Sequence, residues 1–120
     1  MKIMVVDDSS AMRLMMLRTL RQSGIKANDI QQAEDGAIAL AAIREKVPDL
    51  VLADWNMPNM TRIELLEALR ADDIKVTFGF VTTEAGTEQR KRATEAGAQF
   101  LIAKPFTKES FEKVVDAFLS

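Results

Sequence analysis

Cysteine, histidine and tyrosine are all absent from this sequence. Without cysteine there can be no disulfide bond, no thiolate nucleophile and no cysteine metal site. Without histidine the chain can neither form a Ser-His-Asp triad nor carry a phosphohistidine. The side chains left for reactive chemistry are carboxylates, lysine ammonium groups and hydroxyls, which would work with a hard metal ion if any metal is involved.

Strong net charge and long apolar runs are also missing. The 120 residues contain 16 Lys and Arg against 18 Asp and Glu, so the formal charge is -2. This mild acidity weighs against nucleic-acid binding, which needs a basic surface. No apolar run approaches the ~20 residues of a membrane span. The start of the chain, Met1–Val6, leads directly into two aspartates, unlike a secretion signal. We therefore expect a cytoplasmic protein that binds neither nucleic acid nor membrane.

The residues that are present alternate between short apolar runs and longer helical patterns. Five runs predict strands, at Lys2–Val6, Ile30–Ala33, Leu50–Ala53, Val76–Val81 and Phe100–Ala103, and the first and third of these are expected to be buried. Five segments predict helices, at Ser9–Ser23, Asp35–Lys46, Arg62–Ala71, Thr87–Ala96 and Thr107–Leu119. The methionines of the first helix are expected to pack in the core; they are Met12, Met15 and Met16. There is no repeat and no linker, so residues 1–120 are interpreted as a single domain.

Strict alternation of strands and helices predicts a doubly wound α/β fold, a parallel sheet covered by helices on both faces. Right-handed crossovers place the carboxyl ends of all strands at one edge, where ligand sites of such folds lie. Polar residues end four of the predicted strands: Asp7 and Asp8, Asp54, Thr82 and Thr83, and Lys104. We expect these side chains to lie together although they are far apart in sequence.

Three neighbouring carboxylates repel one another, and a divalent cation relieves that repulsion. Oxygen ligands without histidine or cysteine favour Mg²⁺, which typically binds one or two carboxylates and shares its remaining positions with water and phosphate. A carboxylate can attack phosphorus to form an aspartyl phosphate. Lys104 and the Thr82 hydroxyl are suitable partners for the charge on the transferred group.

Each of these segments has a simpler interpretation when taken alone. Asp7 to Ser10 is also typical of a helix N-cap. Asp54 to Pro58 is compatible with an ordinary turn. A single lysine such as Lys104 usually lies on the surface. The joint placement at the ends of several strands favours the functional interpretation over these alternatives.

Four segments together resemble the receiver domain of two-component signalling: Val5–Ser9, Asp54–Pro58, Val81–Thr82 and Lys104–Thr107. Their order and spacing agree with that family along the whole chain. Within the family, the residues after Asp54 are most similar to those of stand-alone chemotaxis response regulators. The resemblance implies a flavodoxin-like sheet in the order 2-1-3-4-5 and a stand-alone receiver that is a monomer.

The resemblance also implies roles for individual residues. Asp54 would accept a phosphoryl group from a histidine kinase. Mg²⁺ would be bound by Asp8 directly, by Asp7 through water, by Asp54, and by the backbone carbonyl of Asn56.

Other residues would act around that centre. Lys104 would contact the phosphoryl oxygens and Thr82 would move toward the phosphate. The face formed by helix 4, strand 5 and helix 5 would then bind a partner, the flagellar motor switch protein in a chemotaxis regulator. Such a chain is a switch that assists its own phosphorylation and dephosphorylation, not an enzyme with an external substrate.

Three positions depart from the family pattern. The family has Tyr or Phe three residues before the lysine, where this chain has Leu101; the neighbouring Phe100 should point to the opposite face of the strand. Arg62 replaces a glycine that suits a left-handed turn, and Thr83 replaces a smaller residue. Because Leu101 and Arg62 weaken the case for motor binding, a phosphate sink or an adaptor in another pathway stays open as the alternative.

Two further classes use related folds or chemistry. A phosphohydrolase with an aspartate nucleophile needs a second acid to protonate its leaving group, and the residue two places after Asp54 is Asn56. A flavodoxin-like cofactor binder would use the same fold. Its flavin phosphate would be repelled by the predicted acidic edge. Neither class is favoured by the sequence.

Overall fold

The computed structural model describes residues 2–23, 30–54, 62–74, 76–83, 86–104 and 106–118. Its strands are β1 (Ile3–Val6), β2 (Ile30–Ala33), β3 (Leu50–Asp54), β4 (Thr77–Thr82) and β5 (Phe100–Ala103). All four neighbouring strand pairs are parallel, and the sheet order is β2-β1-β3-β4-β5. The predicted doubly wound fold and its strand order are confirmed.

Five helices connect and follow the strands: α1 (Ser10–Gln22), α2 (Gly36–Glu45), α3 (Arg62–Ala71), α4 (Thr87–Ala96) and α5 (Lys108–Phe118). Three of them begin at a side-chain cap within the described residues, and at α5 the Thr107 hydroxyl accepts from the Ser110 amide at 3.3 Å. The Ser9 hydroxyl accepts from the Met12 amide of α1, and the Asp35 carboxylate accepts from the Ile38 amide of α2. Each helix ends within one residue of its prediction. None of the described helices has the length and hydropathy that a membrane span requires.

The central strands β1 and β3 are buried along their whole length, as expected for a sheet covered on both faces. Alternate side chains enter two separate clusters. One cluster joins the sheet to α2, α3 and α4, and the other joins it to α1 and α5. The helices therefore form two layers, one on either side of the sheet.

The strand register brings the carboxyl ends of four strands to one edge. Val6 of β1 pairs with Ala53 of β3, and Thr82 of β4 pairs with Ala103 of β5. Two predicted strand ends were one residue too early, since Asp54 and Thr82 lie inside their strands. Asp54 remains in the ladder because it is in register with Val81 of β4.

Candidate functional site

Asp7 follows β1 and is almost completely buried, with 2% of its surface exposed. Its amide donates to the carbonyl oxygen of Ala33 at 3.1 Å, which extends the pairing of β1 with β2 by one residue. Its Oδ1 accepts from the Ser9 amide at 2.9 Å. Its Oδ2 is buried and has no hydrogen-bond partner among the described residues. A buried carboxylate oxygen in this condition is a ready ligand atom.

Lys104 joins the ends of β1, β3 and β5. Its Nζ lies 2.8 Å from Oδ1 of Asp54 and 3.7 Å from Oδ2 of Asp7. Its amide donates to the carbonyl oxygen of Thr82 at 2.7 Å, which fixes the chain as it leaves β5. The ammonium and both carboxylates are largely buried, so their interaction is weakly screened by solvent. These distances place three of the predicted site residues together at one edge of the sheet.

Electrostatics at this edge favour a further cation. Burial raises the pKa of Asp7 above its ordinary value of 3.8, and the charge of Asp54 raises it further. The Ser9 amide and the Lys104 ammonium lower the pKa of Asp7, but they do not offset the increase, so the pKa stays above 3.8. A buried carboxylate that resists ionisation in this way is stabilised as an anion when a metal ion binds.

Three carboxylates at this edge could hold a metal ion. Asp7, Asp8 and Asp54 each offer one oxygen, and these oxygens lie within 4.8 Å of one another. Asp8 is exposed, whereas the other two are buried. An all-oxygen set beside the Lys104 ammonium fits Mg²⁺, as does the Oδ2 of Asp7, to which no described group donates a hydrogen bond. The predicted carbonyl ligand, Asn56, lies outside the described residues and stays a prediction.

The two threonines at the end of β4 differ in exposure. Thr82 is 2% exposed and lies on the strand beside the one that carries Asp54. Thr83 is exposed and lines a mostly apolar groove of about 230 Å³ that also contacts Lys104. The groove therefore reaches the edge of the carboxylate cluster.

Methionines from α1 form much of that groove. Met12 and Met15 line it together with Phe106. Met16 is fully buried, as predicted, and Met12 packs partly buried against the same core cluster. The prediction was wrong for Met15, which is 52% exposed, because α1 turns this position away from the sheet.

Arg13 contacts the site and was not predicted to do so. Its Nη1 donates to the backbone carbonyl of Asp7 at 2.5 Å, and its Nε donates to Oε1 of Gln32 at 3.1 Å. One signal in the sequence could have indicated a role. A cation in the first turn of a helix stands at the positive end of the helix dipole, where acidic residues are preferred.

Leu101 and Phe100 occupy opposite faces of β5, as alternation predicts. Leu101 is 9% exposed and belongs to the cluster on the α4 side, with Ala93 and Ala98. Phe100 packs against the other cluster, on the side of α1 and α5. Phe100 therefore does not take the place of an aromatic residue at position 101.

Comparison with known families agrees with this geometry. Residues 3–116 match the response regulator receiver domain. The chain belongs to this family. The resemblance inferred from the four sequence segments is therefore confirmed, and the carboxylate cluster lies in a receiver domain.

The receiver domain is similar to chemotaxis proteins of two bacteria. It is 41% identical to chemotaxis protein CheY-3 of Vibrio cholerae over 118 residues, which cover 97% of this chain and 89% of that protein. It is 40% identical to chemotaxis protein CheY of Pseudomonas aeruginosa over 122 residues, covering 97% of each chain. The receiver domain is thus of the CheY type.

Solved structures give the same result for the fold. Chemotaxis protein CheY4 of Vibrio cholerae superimposes with a TM-score of 0.86 at 32% identity, covering 98% of both chains. The receiver domain of the Francisella response regulator 1452 also gives a TM-score of 0.86, at 26% identity, over 98% of this chain and 94% of that one.

Of the two departures from the family pattern at Arg62 and Thr83, only the second has a described side chain. The side chain of Arg62 lies outside the described residues, and Thr83 is exposed as described above.

Proposed function

We propose that this protein is a phosphorylation-activated response regulator in which Asp54 accepts the phosphoryl group. The observation that supports this proposal is the position of Asp54. It ends a fully buried strand, and its Oδ1 lies 2.8 Å from the Lys104 ammonium. It also supplies one oxygen to the cluster of three carboxylates. A nucleophilic carboxylate needs such a setting, since a cation beside it compensates the charge of the incoming group.

The donor is proposed to be a phosphohistidine of a histidine kinase. An oxygen of Asp54 forms a bond to phosphorus while the bond from phosphorus to the donor nitrogen breaks, and the imidazole leaves with the electron pair. Lys104 starts from its ion pair with Asp54 and moves its contact to a phosphoryl oxygen. Thr82, buried on the adjacent strand, moves toward the phosphoryl group and donates a hydrogen bond from its hydroxyl to another phosphoryl oxygen.

Asp7, Asp8 and Asp54, together with the carbonyl of Asn56, would hold Mg²⁺. When bound, the ion would neutralise the carboxylates and the charge that develops on the phosphoryl oxygens. Asp7 would act through Oδ2, which accepts no hydrogen bond from the described residues, and Asp8 from the exposed side of the cluster.

The phosphorylated protein is proposed to act as a single receiver unit over residues 1–120, as a cytoplasmic monomer, and to signal by protein contact. Phosphorylation adds a charge of about -1.5 to -2 at Asp54 and shifts the population of conformations on the surface formed by α4, β5 and α5. The similar proteins from Vibrio cholerae and Pseudomonas aeruginosa are named chemotaxis proteins. The preferred partner is therefore a flagellar motor switch protein.

One observation favours a second candidate. Leu101 lies on the α4 side of β5, where it is buried with Ala93, and it has neither an aromatic ring nor a hydroxyl. A switch that depends on an aromatic side chain at this position would not operate in the same way. A phosphate sink or adaptor that does not bind the motor is the alternative.

The central proposal is tested with Trp55, the single tryptophan, which follows Asp54 in the sequence. We expect its fluorescence to change on addition of Mg²⁺ and again on addition of acetyl phosphate or beryllofluoride. Asp54→Asn should lose the second change. A wild-type signal that ignores both additions would contradict the proposal, and steady turnover of phosphate monoesters would favour a phosphohydrolase.

The partner is tested by binding of a flagellar switch peptide to the Mg²⁺ form, with and without beryllofluoride. A gain in affinity with beryllofluoride supports the motor regulator. An Asp54→Asn protein, with folding checked by circular dichroism, serves as the matched control because it lacks the acceptor carboxylate and should show no gain. If the wild type also shows none, the motor assignment is wrong and the sink or adaptor remains.

A further inference from the structure

We infer that Arg13 is a positioning residue for the metal site, because it holds the backbone between Asp7 and Asp8 in place. This inference rests on the proposed function and extends it to a residue that touches neither the phosphoryl group nor the metal. The guanidinium makes two contacts, one to the carbonyl oxygen of Asp7 and one to the side chain of Gln32.

The first argument concerns the other polar atoms of Asp7. Its amide is held by Ala33 and its Oδ1 by the Ser9 amide, so the carbonyl and Oδ2 are left. The carbonyl oxygen accepts a hydrogen bond from Arg13. The Oδ2 atom is then the acceptor without a hydrogen-bond partner, and it faces Lys104 at 3.7 Å. Asp7, whose carboxylate supplies one oxygen to the cluster, therefore keeps Oδ2 available to a metal ion.

The second argument concerns the peptide plane. The carbonyl of Asp7 belongs to the same rigid peptide unit as the amide of Asp8. A donor that fixes this carbonyl therefore fixes the direction in which the chain enters Asp8, which is exposed and has little packing to hold it. The Nε of the same guanidinium donates to the side chain of Gln32 on β2, so the orientation of the guanidinium is fixed relative to the sheet. A planar group with several donors is suited to such a bridge.

The third argument is that helix stability does not account for the residue. Arg13 lies in the first turns of α1, which begins at the Ser9 cap and has no acidic residue in its first turn. A cation there opposes the helix dipole. Helical side chains point back toward the N-terminus, however, and this direction takes the guanidinium to the end of β1. The positive charge of Arg13 is therefore unfavourable for the dipole of α1, but it brings the guanidinium to the carbonyl of Asp7.

The test asks whether replacing Arg13 strengthens or weakens Mg²⁺ binding. Arg13→Met removes a cation near an acidic cluster, which by charge alone would strengthen Mg²⁺ binding. Loss of positioning would weaken it. Residues that orient metal ligands typically change affinity by 10- to 100-fold, so we expect binding about tenfold weaker. Arg18→Met, at an exposed position of the same helix, is the matched control with the same change in charge and is expected to bind as tightly as the wild type or slightly more tightly.

Affinity is measured by isothermal titration calorimetry without any phosphodonor, and folding by circular dichroism. If Arg13→Met does not fold, Arg13→Lys and Gln32→Leu are used, since both keep the charge and weaken the bridge; each should bind Mg²⁺ less tightly than the wild type. Unchanged or tighter binding in the Arg13 and Gln32 variants overturns the inference. A wild type that binds no Mg²⁺ would instead contradict the proposed function, so the two failures are distinguishable.

Discussion

The ring of Phe100 lies across Gly79, its register partner on β4. A Cβ atom added at Gly79 would stand 1.9 Å from Cε2 of Phe100, well inside any permitted contact. The glycine in the middle of β4 therefore makes room for the aromatic ring on the next strand. Phe100 lies on the face of α1 and α5, and Leu101, the next residue of β5, lies on the face of α4.

Gly79→Ala is expected to destabilise the protein, because the new methyl group must displace the Phe100 ring. Overpacking of a core usually costs 1–3 kcal/mol, and we expect a loss of about 2 kcal/mol in the free energy of unfolding by urea. In a Phe100→Leu background the same substitution should cost clearly less, since the ring is gone. Equal costs in both backgrounds would show that the ring is not the obstacle.

Lys104→Met is expected to destabilise the protein when Mg²⁺ is absent. The substitution leaves Asp54 and Asp7 buried near each other without their shared ammonium, and removal of one partner of a buried pair costs roughly 3 kcal/mol. Urea unfolding with EDTA measures the loss, and added Mg²⁺ should recover part of it. Lys108→Met, at an exposed position of α5, is the control and should change stability little. A loss of the same size in both variants would contradict the role assigned to the ion pair.

Asp7→Asn is expected to raise the melting temperature of the metal-free protein at neutral pH. Because the pKa of Asp7 is raised in the folded state, ionisation of this carboxyl destabilises the fold. The advantage of Asp7→Asn should be absent at a pH below the ordinary value of 3.8, grow as the pH rises through the raised pKa, and stay constant above it.

Mg²⁺ supplies the control for that prediction. It should raise the melting temperature of the wild type but hardly change that of Asp7→Asn, which lacks one ligand. Scanning calorimetry over pH, with and without Mg²⁺, records both effects. A metal-free variant that melts below the wild type at pH 7 would show that ionised Asp7 is not a source of strain.

Gly97→Ala is expected to weaken the connection between α3 and α4. Gly97 ends α4 with a φ of 103°, a left-handed conformation that alanine adopts at a cost. Its carbonyl accepts from Arg70 of α3 at 2.7 Å, and an added Cβ would meet the same guanidinium. We expect a loss of about 1–2 kcal/mol in chemical unfolding. Gly86→Ala, where φ is -76° and the new Cβ would meet the flexible end of Gln89, should cost much less.

Local patterns were sufficient for most of the fold. Buried apolar runs such as Leu50–Ala53 and helical patterns such as Asp35–Lys46 predicted elements that the structure reproduces to within one residue. The errors at the ends of β3 and β4 have a common cause. A polar residue after an apolar run ends the hydrophobic pattern, but the backbone ladder continues through Asp54 and Thr82 because their neighbours are still in register.

The sequence by itself determined which chemistry to expect: a chain without cysteine or histidine, with carboxylates, a threonine and a lysine at strand ends, predicts an all-oxygen metal site and a phosphoryl acceptor. Only the tertiary structure decided which atoms meet. Lys104 contacts Asp54 more closely than Asp7, one oxygen of Asp7 accepts no hydrogen bond from the described residues, and Arg13 reaches back to the carbonyl of Asp7. These relationships join residues on different elements, and their distances depend on sheet register and helix orientation, which periodicity along the chain does not specify.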